Sequence, residues 1–455
     1  MLFNSYNFIF AFLPAFLLSY FLIDSKYKNA VVLVYSILYY IIGNIGQPLF
    51  IFILIIMTFI NYIFTYLIYL NKRNGKFVKI VFTTSIIFNV LVLLLFKSEI
   101  ITKQLPLGIS FYIFHFISIN TDTFKSLKTN SRAKHDKSFV NYITYILFFP
   151  KLLSGPITRY DNLKSINSGN GFDLNSFING IYLFSIGLGL KCLLSENISY
   201  IINQINVFGF ESISILTAWI GMYSYTMCLY FDFAGYSLMA IGIAKMIGID
   251  LPENFNLPFA AKSISEFWRR WHITLGAFFR DYVYIPLGGN FGNKNLFRQS
   301  INIIIVWLIT GLWHGMKVNY MLWALISCVM IILEKLFLNK VYKKSSLLGR
   351  VIVILLMPFA FLIFSIENLS MLKTFISRLY DFSSIYNSRD LIVIIKQYAK
   401  TFILGVVFMT PFPKLLLKKV SQNKILMIVV SIALIILSCF MISISENDTF
   451  KYFAF

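Results

Sequence analysis

Two imidazoles, His272 and His314, are the side chains of this sequence best suited to moving a proton near neutral pH. They lie in one stretch, from Ser263 to Tyr320. It reads SISEFWRRWHITLGAFFRDYVYIPLGGN, turns through a basic segment, and ends in an apolar helix interrupted at GLWHG, Gly311–Gly315. Four of the six tryptophans, Trp268, Trp271, Trp307 and Trp313, share that stretch with Glu266, Arg269, Arg270, Arg280 and Asp281. An intramembrane imidazole among such groups marks a functional site for acid–base chemistry. Metal binding fits poorly, because neither histidine has a His, Cys or carboxylate one helical turn away. The other two histidines read differently: His115, in FYIFHFI, as packing, and His135, in a basic loop, as solvated.

The elements that must position these groups follow from local pattern. Ser263-Ile-Ser-Glu266 is a capping box, and Pro286 with Gly288-Gly289 is a stop, so one helix is expected between them. At about 100° per residue, Phe267, Trp268, Trp271, Leu275, Phe278, Phe279 and Tyr282 fall on one face of it. Glu266, Arg269, Arg270, Arg280 and Asp281 fall opposite, with Glu266 one turn from Arg269 and Arg270. So charged a helix lies in the interface or lines a polar cavity, and His272 projects to the seam between its faces. The next helix is expected from Ser300 to Gly311, starting beside Lys294 and Arg298. That places His314 roughly 20 Å deep, on a break inside the membrane. Asp232, flanked by Ile213–Phe231 and Phe233–Ile249, is expected to pair with an arginine of the 263–285 helix, and Arg159 of SGPITRY to sit at the interface.

The rest of the chain is apolar scaffold. Of its 455 residues 58% are hydrophobic, 18% aromatic and 13% charged, and mean hydropathy is +0.75. Continuous apolar runs of about 20 residues define an all-α polytopic membrane protein and exclude an alternating barrel. The net charge of +21 does not mark a nucleic-acid binder, because Lys and Arg cluster in loops such as Lys72–Lys79, Lys125–Lys137 and Lys414–Lys424. The cysteines Cys192, Cys228, Cys328 and Cys439 are scattered through apolar runs and read as small core residues. Phe8–Ile23 reads as a retained first span and not as a cleavable signal.

Alternation with the basic loops orients the first segments, Phe8–Ile23, Ala30–Ile42, Leu49–Leu70, Ile80–Phe96 and Leu105–Ile119, with the N-terminus outside. Phe139–Leu153 is expected to be broken or re-entrant at Pro150 and Pro156. Phe177–Leu194 is expected to pack closely through Gly180, Gly187 and Gly189, and Ile198–Phe210 to be interfacial. Met321–Leu338, Val351–Ile366, Ala399–Pro411 and Ile425–Ile444 complete the bundle, with the C-terminus outside. The whole chain, 1–455, reads as one membrane-embedded domain with its core near 100–330 and no separable soluble part.

FWRRWHITLGAFFRDYVYIPLGGN together with GLWHG resembles the membrane-bound O-acyltransferase (MBOAT) family, on its bacterial alginate O-acetyltransferase branch. LPLGISFYIF, FFPKLLSGPITRY and YFDFAGYSLMAIGIAKMIGIDLPENFNLPF follow the same order, and the tail KYFAF is similar too. The resemblance implies a ring of roughly 11–13 transmembrane or re-entrant helices around a central tunnel. It also implies that His314, of the WHG motif, is catalytic and that His272, of the RWH motif, lines the tunnel. It further implies a cytoplasmic thioester donor, acetyl-CoA or an acyl carrier protein thioester, with no bound cofactor. The implied partners are an extracytoplasmic SGNH-type protein and a polysaccharide acceptor at the cell (plasma or inner) membrane, with no nucleic acid. On this reading Trp268, Trp313 or His272 supports the oxyanion, Arg269, Arg270 and Arg280 steer donor phosphates, and Trp271, Asp281 and Asp232 complete the substrate surroundings. FDFAGYSL, with Leu238 where an acid is frequent, leans toward relatives that move D-alanine onto teichoic acids, whereas PLGGN leans toward acetyl transfer. A transporter of an anionic solute is the rival outside enzymes, although no second, related half with its own broken helix is evident.

Overall fold

The computed structural model describes residues 1–100, 104–128, 138–161, 163, 171–289, 296–338, 342, 345–386 and 388–444. His135, Asn290, Lys294 and the tail Lys451–Phe455 lie outside the described residues. Among those described, all regular structure is helical. In chain order the helices are α1 (Leu13–Leu22, preceded by a π-helical turn), α2 (Lys28–Gly43), α3 (Pro48–Leu70), α4 (Gly75–Lys97) and α5 (Ile109–Lys128). Next come α6 (Phe139–Leu147), α7 (Phe149–Leu152), α8 (Leu174–Gly189), α9 (Glu196–Phe208), α10 (Ile215–Met246), α11 (Ile264–Arg270) and α12 (Ile273–Phe279). The last are α13 (Leu296–His314), α14 (Val318–Leu333), α15 (Ser346–Ser365), α16 (Leu369–Arg378), α17 (Arg389–Met409), α18 (Pro411–Val420) and α19 (Lys424–Ile444). Nine helices among the described residues are long and apolar enough to cross a membrane. Asn7–Leu22 is a shorter apolar helix. The all-α polytopic membrane class is the one found.

Two compact units divide the chain. The first comprises 1–184, 237–253 and 277–282. Polar side chains on buried helix faces hold it together: Asn61 and Asn89 exchange hydrogen bonds (3.1 and 2.7 Å), Asn120 Nδ2 donates to Asn61 Oδ1 (3.1 Å), and Thr65 Oγ1 donates to Asn120 Oδ1 (2.6 Å). These bonds pin α3, α4 and α5 to one another where apolar packing alone gives little preference over lipid. α5 runs on to Lys128, past the loop expected from Asn120. The expected break near Pro150 is present, with α6 ending at Leu147 and α7 lasting one turn.

The second unit comprises 185–236, 254–276 and 283–455. Its core joins Ile198, Ile201 and Ile205 of α9, Met222 and Phe231 of α10, Phe267 and Trp271, Trp323 of α14, and Phe361 and Phe364 of α15. Three expectations are corrected here. The segment expected to be interfacial, Ile198–Phe210, continues from α8 through a π-helical turn, Leu190–Ser195, and buries Ile198, Ile201, Ile202 and Ile205. And α10 is one helix of 32 residues, not two helices meeting at Asp232. At about 1.5 Å per residue it reaches roughly 48 Å, more than the hydrocarbon core needs. Protein surrounds most of it, so a charge in mid-helix is tolerable if paired. Lys191 supplies the pair at 2.7 Å, with the two side chains 2% and 1% exposed. Asp232 is thus bound to a lysine of the π-helical turn and not to the arginines expected. The expected close approach at Gly187 is also present, since a Cβ on Gly235 would lie 2.6 Å from the Gly187 carbonyl.

Candidate active site

His314 is the last residue of α13, which runs unbroken through Gly311. Gly311 is therefore not a break, as expected from sequence, but a contact. A Cβ there would fall 2.8 Å from the Ala324 methyl and 3.2 Å from the Tyr320 carbonyl, so its absence lets α13 lie against α14. Gly315 does the same for the Tyr320 ring, which a Cβ would meet at 2.9 Å. The GLWHG motif is thus a helix end folded tightly onto the helix that follows. Around the imidazole stand four rings: Trp313 at 4.4 Å, Phe364 at 4.9 Å, Trp323 at 5.0 Å and Tyr320 at 6.1 Å between centroids. His314 stays 9% exposed.

His272 is reached differently. The single helix expected over 263–285 is two seven-residue helices, α11 and α12, followed by a π-helical turn, Arg280–Tyr284. Trp271 is extended, and His272 has φ +44°, in the left-handed region that a residue with a Cβ seldom occupies. The periodic aromatic face is therefore divided. Trp271 packs on Phe361 (4.5 Å), Phe255 (5.1 Å) and Phe267 (5.6 Å), and Trp268 on Trp307 (4.7 Å) and Trp323 (5.8 Å). Phe278, by contrast, packs on Phe114 (4.3 Å) within the first unit.

A residue that sequence reasoning passed over holds this kink. Asn254, 1% exposed, lies in the PENFNLPF segment. Its carbonyl accepts from Ile273 N–H (2.9 Å). Its Oδ1 accepts from Thr274 Oγ1 (2.8 Å) and Thr274 N–H (3.3 Å), and faces His272 Nδ1 at 3.1 Å. A backbone amide only donates, so the shared atom is the oxygen, and His272 Nδ1 must carry the proton. Nε2 is then a lone pair, buried and without a hydrogen-bond partner among the described residues. An imidazolium would leave a second buried N–H unsatisfied, which favours the neutral ring. Phe233 stands edge-on to it at 4.6 Å, and Trp313 lies 6.3 Å away. The two histidines thus flank one indole.

The capping box forms as the sequence predicts, with Ser263 Oγ accepting from Glu266 N–H at 3.1 Å. A second cap was not foreseen. Glu334, 2% exposed, accepts from Ile264 N–H (2.6 Å) and Ser265 N–H (3.1 Å). Its signal was a lone acid at the end of an apolar run. Glu266 pairs with Arg270 (2.6 and 2.9 Å) in preference to Arg269, which is exposed. Burial opposes ionisation of Glu266, but the Lys262 N–H and the Arg270 guanidinium outweigh it and hold its carboxyl below the usual range.

Of the residues named from sequence, His272, His314, Trp268, Arg269, Arg270, Trp271, Trp313 and Asp232 belong to the second unit, whereas Arg280 and Asp281 belong to the first. Asp281 is the hub of an ion cluster there: Arg159 and Arg280 pair with it, and Lys125 donates to its carbonyl (3.0 Å). The Arg159 and Arg280 charges are thereby shared with a carboxylate. The indole N–H groups of Trp268 and Trp323 are buried with no hydrogen-bond partner among the described residues. Trp323 is a further residue that sequence reasoning did not single out.

Comparison with known proteins places the chain in a family. The model of the membrane-bound O-acyltransferase family matches residues 32–375. The chain is 31% identical to the probable alginate O-acetylase of Pseudomonas aeruginosa over 405 residues, 84% of this chain and 76% of that one. It is 33% identical to the peptidoglycan O-acetyltransferase of Helicobacter pylori over 373 residues, 72% of this chain and 69% of that one. To the teichoic acid D-alanyltransferase of Bacillus subtilis it is 32% identical over 327 residues, 66% and 80% of the two chains. With most of the chain inside the family match, and both histidine-bearing segments within it, the protein belongs to the membrane-bound O-acyltransferase family.

Proposed function

We propose that this acyltransferase takes an acetyl group from a cytoplasmic thioester, acetyl-CoA, and passes it through the membrane for O-acetylation of a cell-surface or extracellular polysaccharide. The observation that carries the reading is His314, an imidazole at a helix end, ringed by Trp313, Tyr320, Trp323 and Phe364, with a second histidine across Trp313. His314 removes the proton of an acceptor hydroxyl as its oxygen attacks the thioester carbonyl. The new C–O bond forms, the C–S bond breaks, and the imidazolium returns its proton to the leaving thiolate. Charge gathers on the carbonyl oxygen in between. The unpartnered indole N–H groups of Trp268 and Trp323 are suitable donors to it. His272, with its proton on Nδ1, has no Nε2 proton to offer there. Arg269, an exposed cation of the second unit, would meet donor phosphates. A central tunnel would join the two faces, and an extracytoplasmic SGNH-type protein would receive the acyl group. The protein would sit in the plasma membrane with both termini outside, as the loop charges support.

Purified protein with acetyl-CoA should release free CoA thiol in the presence of an acceptor, and His314→Ala should abolish release by roughly 10²–10⁴-fold while eluting as folded protein. Unimpaired transfer by His314→Ala would overturn the role of this residue. A second reading, D-alanyl transfer from a carrier-protein thioester, is favoured by FDFAGYSL and by the 32% identity to the Bacillus subtilis protein. Mass analysis of the modified glycan separates acetyl from alanyl esters.

A further inference from the structure

We infer that Asn254 is a positioning residue: it holds His272 in the Nδ1–H tautomer and leaves the Nε2 lone pair to accept a hydrogen bond from a second hydroxyl of the acceptor, apart from the one that His314 deprotonates. This rests on the acyl-transfer reading for its use, but the tautomer itself stands on geometry. Three donors, His272 Nδ1–H, Thr274 N–H and Thr274 Oγ1–H, converge on one buried amide oxygen at 3.1, 3.3 and 2.8 Å. A fourth bond, from Ile273 N–H to the Asn254 carbonyl at 2.9 Å, ties the same residue to the kink. The left-handed backbone of His272 would otherwise favour relaxation into a continuous helix. Asn254 therefore fixes three things together: the backbone turn, the ring orientation and the site of the proton. The opposite tautomer would turn Nδ1, a lone pair, against the lone pairs of the amide oxygen.

The consequence for the reaction is a division of labour. A second hydroxyl of the acceptor, donating to His272 Nε2, orients the molecule while His314 deprotonates the attacking one. His272 thus acts as an acceptor, not as an oxyanion donor. Only neutral His272 in this tautomer can do so.

The test uses full-length protein labelled with ¹⁵N-histidine in nanodiscs. The chain has four histidines, so the His272 signal is identified by its loss in His272→Gln. Wild type should show a protonated Nδ1 and an unprotonated Nε2. Asn254→Leu should lose that pattern and lower kcat by roughly 10²-fold with KM for the thioester little changed. Asn254→Asp, whose carboxylate still accepts from Nδ1–H, should keep the pattern and retain more of kcat than Asn254→Leu. A wild-type His272 protonated on Nε2 overturns the inference. So does an unchanged pattern in Asn254→Leu, or equal loss of kcat in the two variants. If Asn254→Leu does not fold, wild type and Asn254→Asp still decide. Wild type that transfers no acyl group from any thioester defeats the proposed function, whereas the tautomer is read without turnover.

Discussion

A single charge inside an apolar helix demands a partner, and the partner's identity decides what its loss would do. Lys191 and Asp232 satisfy each other at 2.7 Å with almost no solvent contact. Removing one member strands the other, at a cost of about 3–5 kcal/mol, whereas replacing both with apolar residues of similar volume is close to neutral. Asp232→Leu should therefore lower the unfolding temperature in detergent sharply, and Lys191→Met/Asp232→Leu should recover most of the loss. A larger loss in the double variant would show that the pair does more than neutralise itself. Both residues were visible in the sequence as lone charges in apolar runs, but the pairing was not, because several arginines competed for the same acid. The histidines were legible by type and motif. Their supports, Asn254 and Glu334, were not, because a buried Asn or Glu announces a need for partners without naming them. Glu266 adds a pH-dependent term. Its folded carboxyl titrates below its unfolded value, so its contribution is present above the unfolded value and lost as pH falls through the lowered one. Glu266→Gln should thus lower stability at neutral pH, leave it unchanged below the lowered carboxyl value, and so flatten the acid side of a stability-versus-pH curve.

At the level of elements, periodicity succeeded where helices are continuous and failed where chemistry bends them. The spacing of aromatics over Phe267–Tyr282 fits one helix, yet α11 and α12 meet at a left-handed histidine. A positive φ at a non-glycine residue leaves no mark on a hydrophobic pattern. The reverse happened at α13, where a glycine in an apolar run suggested a break but serves contact with α14. Gly311→Val should push α13 from α14, destabilise by about 1–3 kcal/mol, and reduce acyl transfer by displacing His314. Thermal unfolding and thiol release, measured on the same preparation, check both parts. Gly311→Ala should have a weaker effect of the same sign, since its methyl meets Ala324 at 2.8 Å.

Across the whole molecule, composition and charge settled the class, and the long apolar runs settled most of the crossings. Helix lengths were less legible. Asp232 split α10 in two on paper, and the polar onset at Asn120 shortened α5, although both helices run through. The proposed orientation is directly testable. Cysteines introduced at Lys72 and at Lys419 into a chain lacking its native cysteines should react with a membrane-impermeant maleimide only after the inner face is opened. Labelling of either position in intact cells would reverse the orientation.

Glu334 has a wider effect than its two hydrogen bonds suggest. It extends from the end of α14, which packs on the helix ending in His314, and it grips the first amides of α11, at Ile264 and Ser265, just ahead of the His272 kink. Covalent chain and carboxylate together close a loop through both imidazoles. The spacing of the two rings is thereby built in during folding, so that substrate meets a pair already set and has no reorganisation to drive. Slow hydrogen exchange at Ile264 and Ser265, unchanged when substrate binds and accelerated in Glu334→Gln, would be the signature of that rigidity.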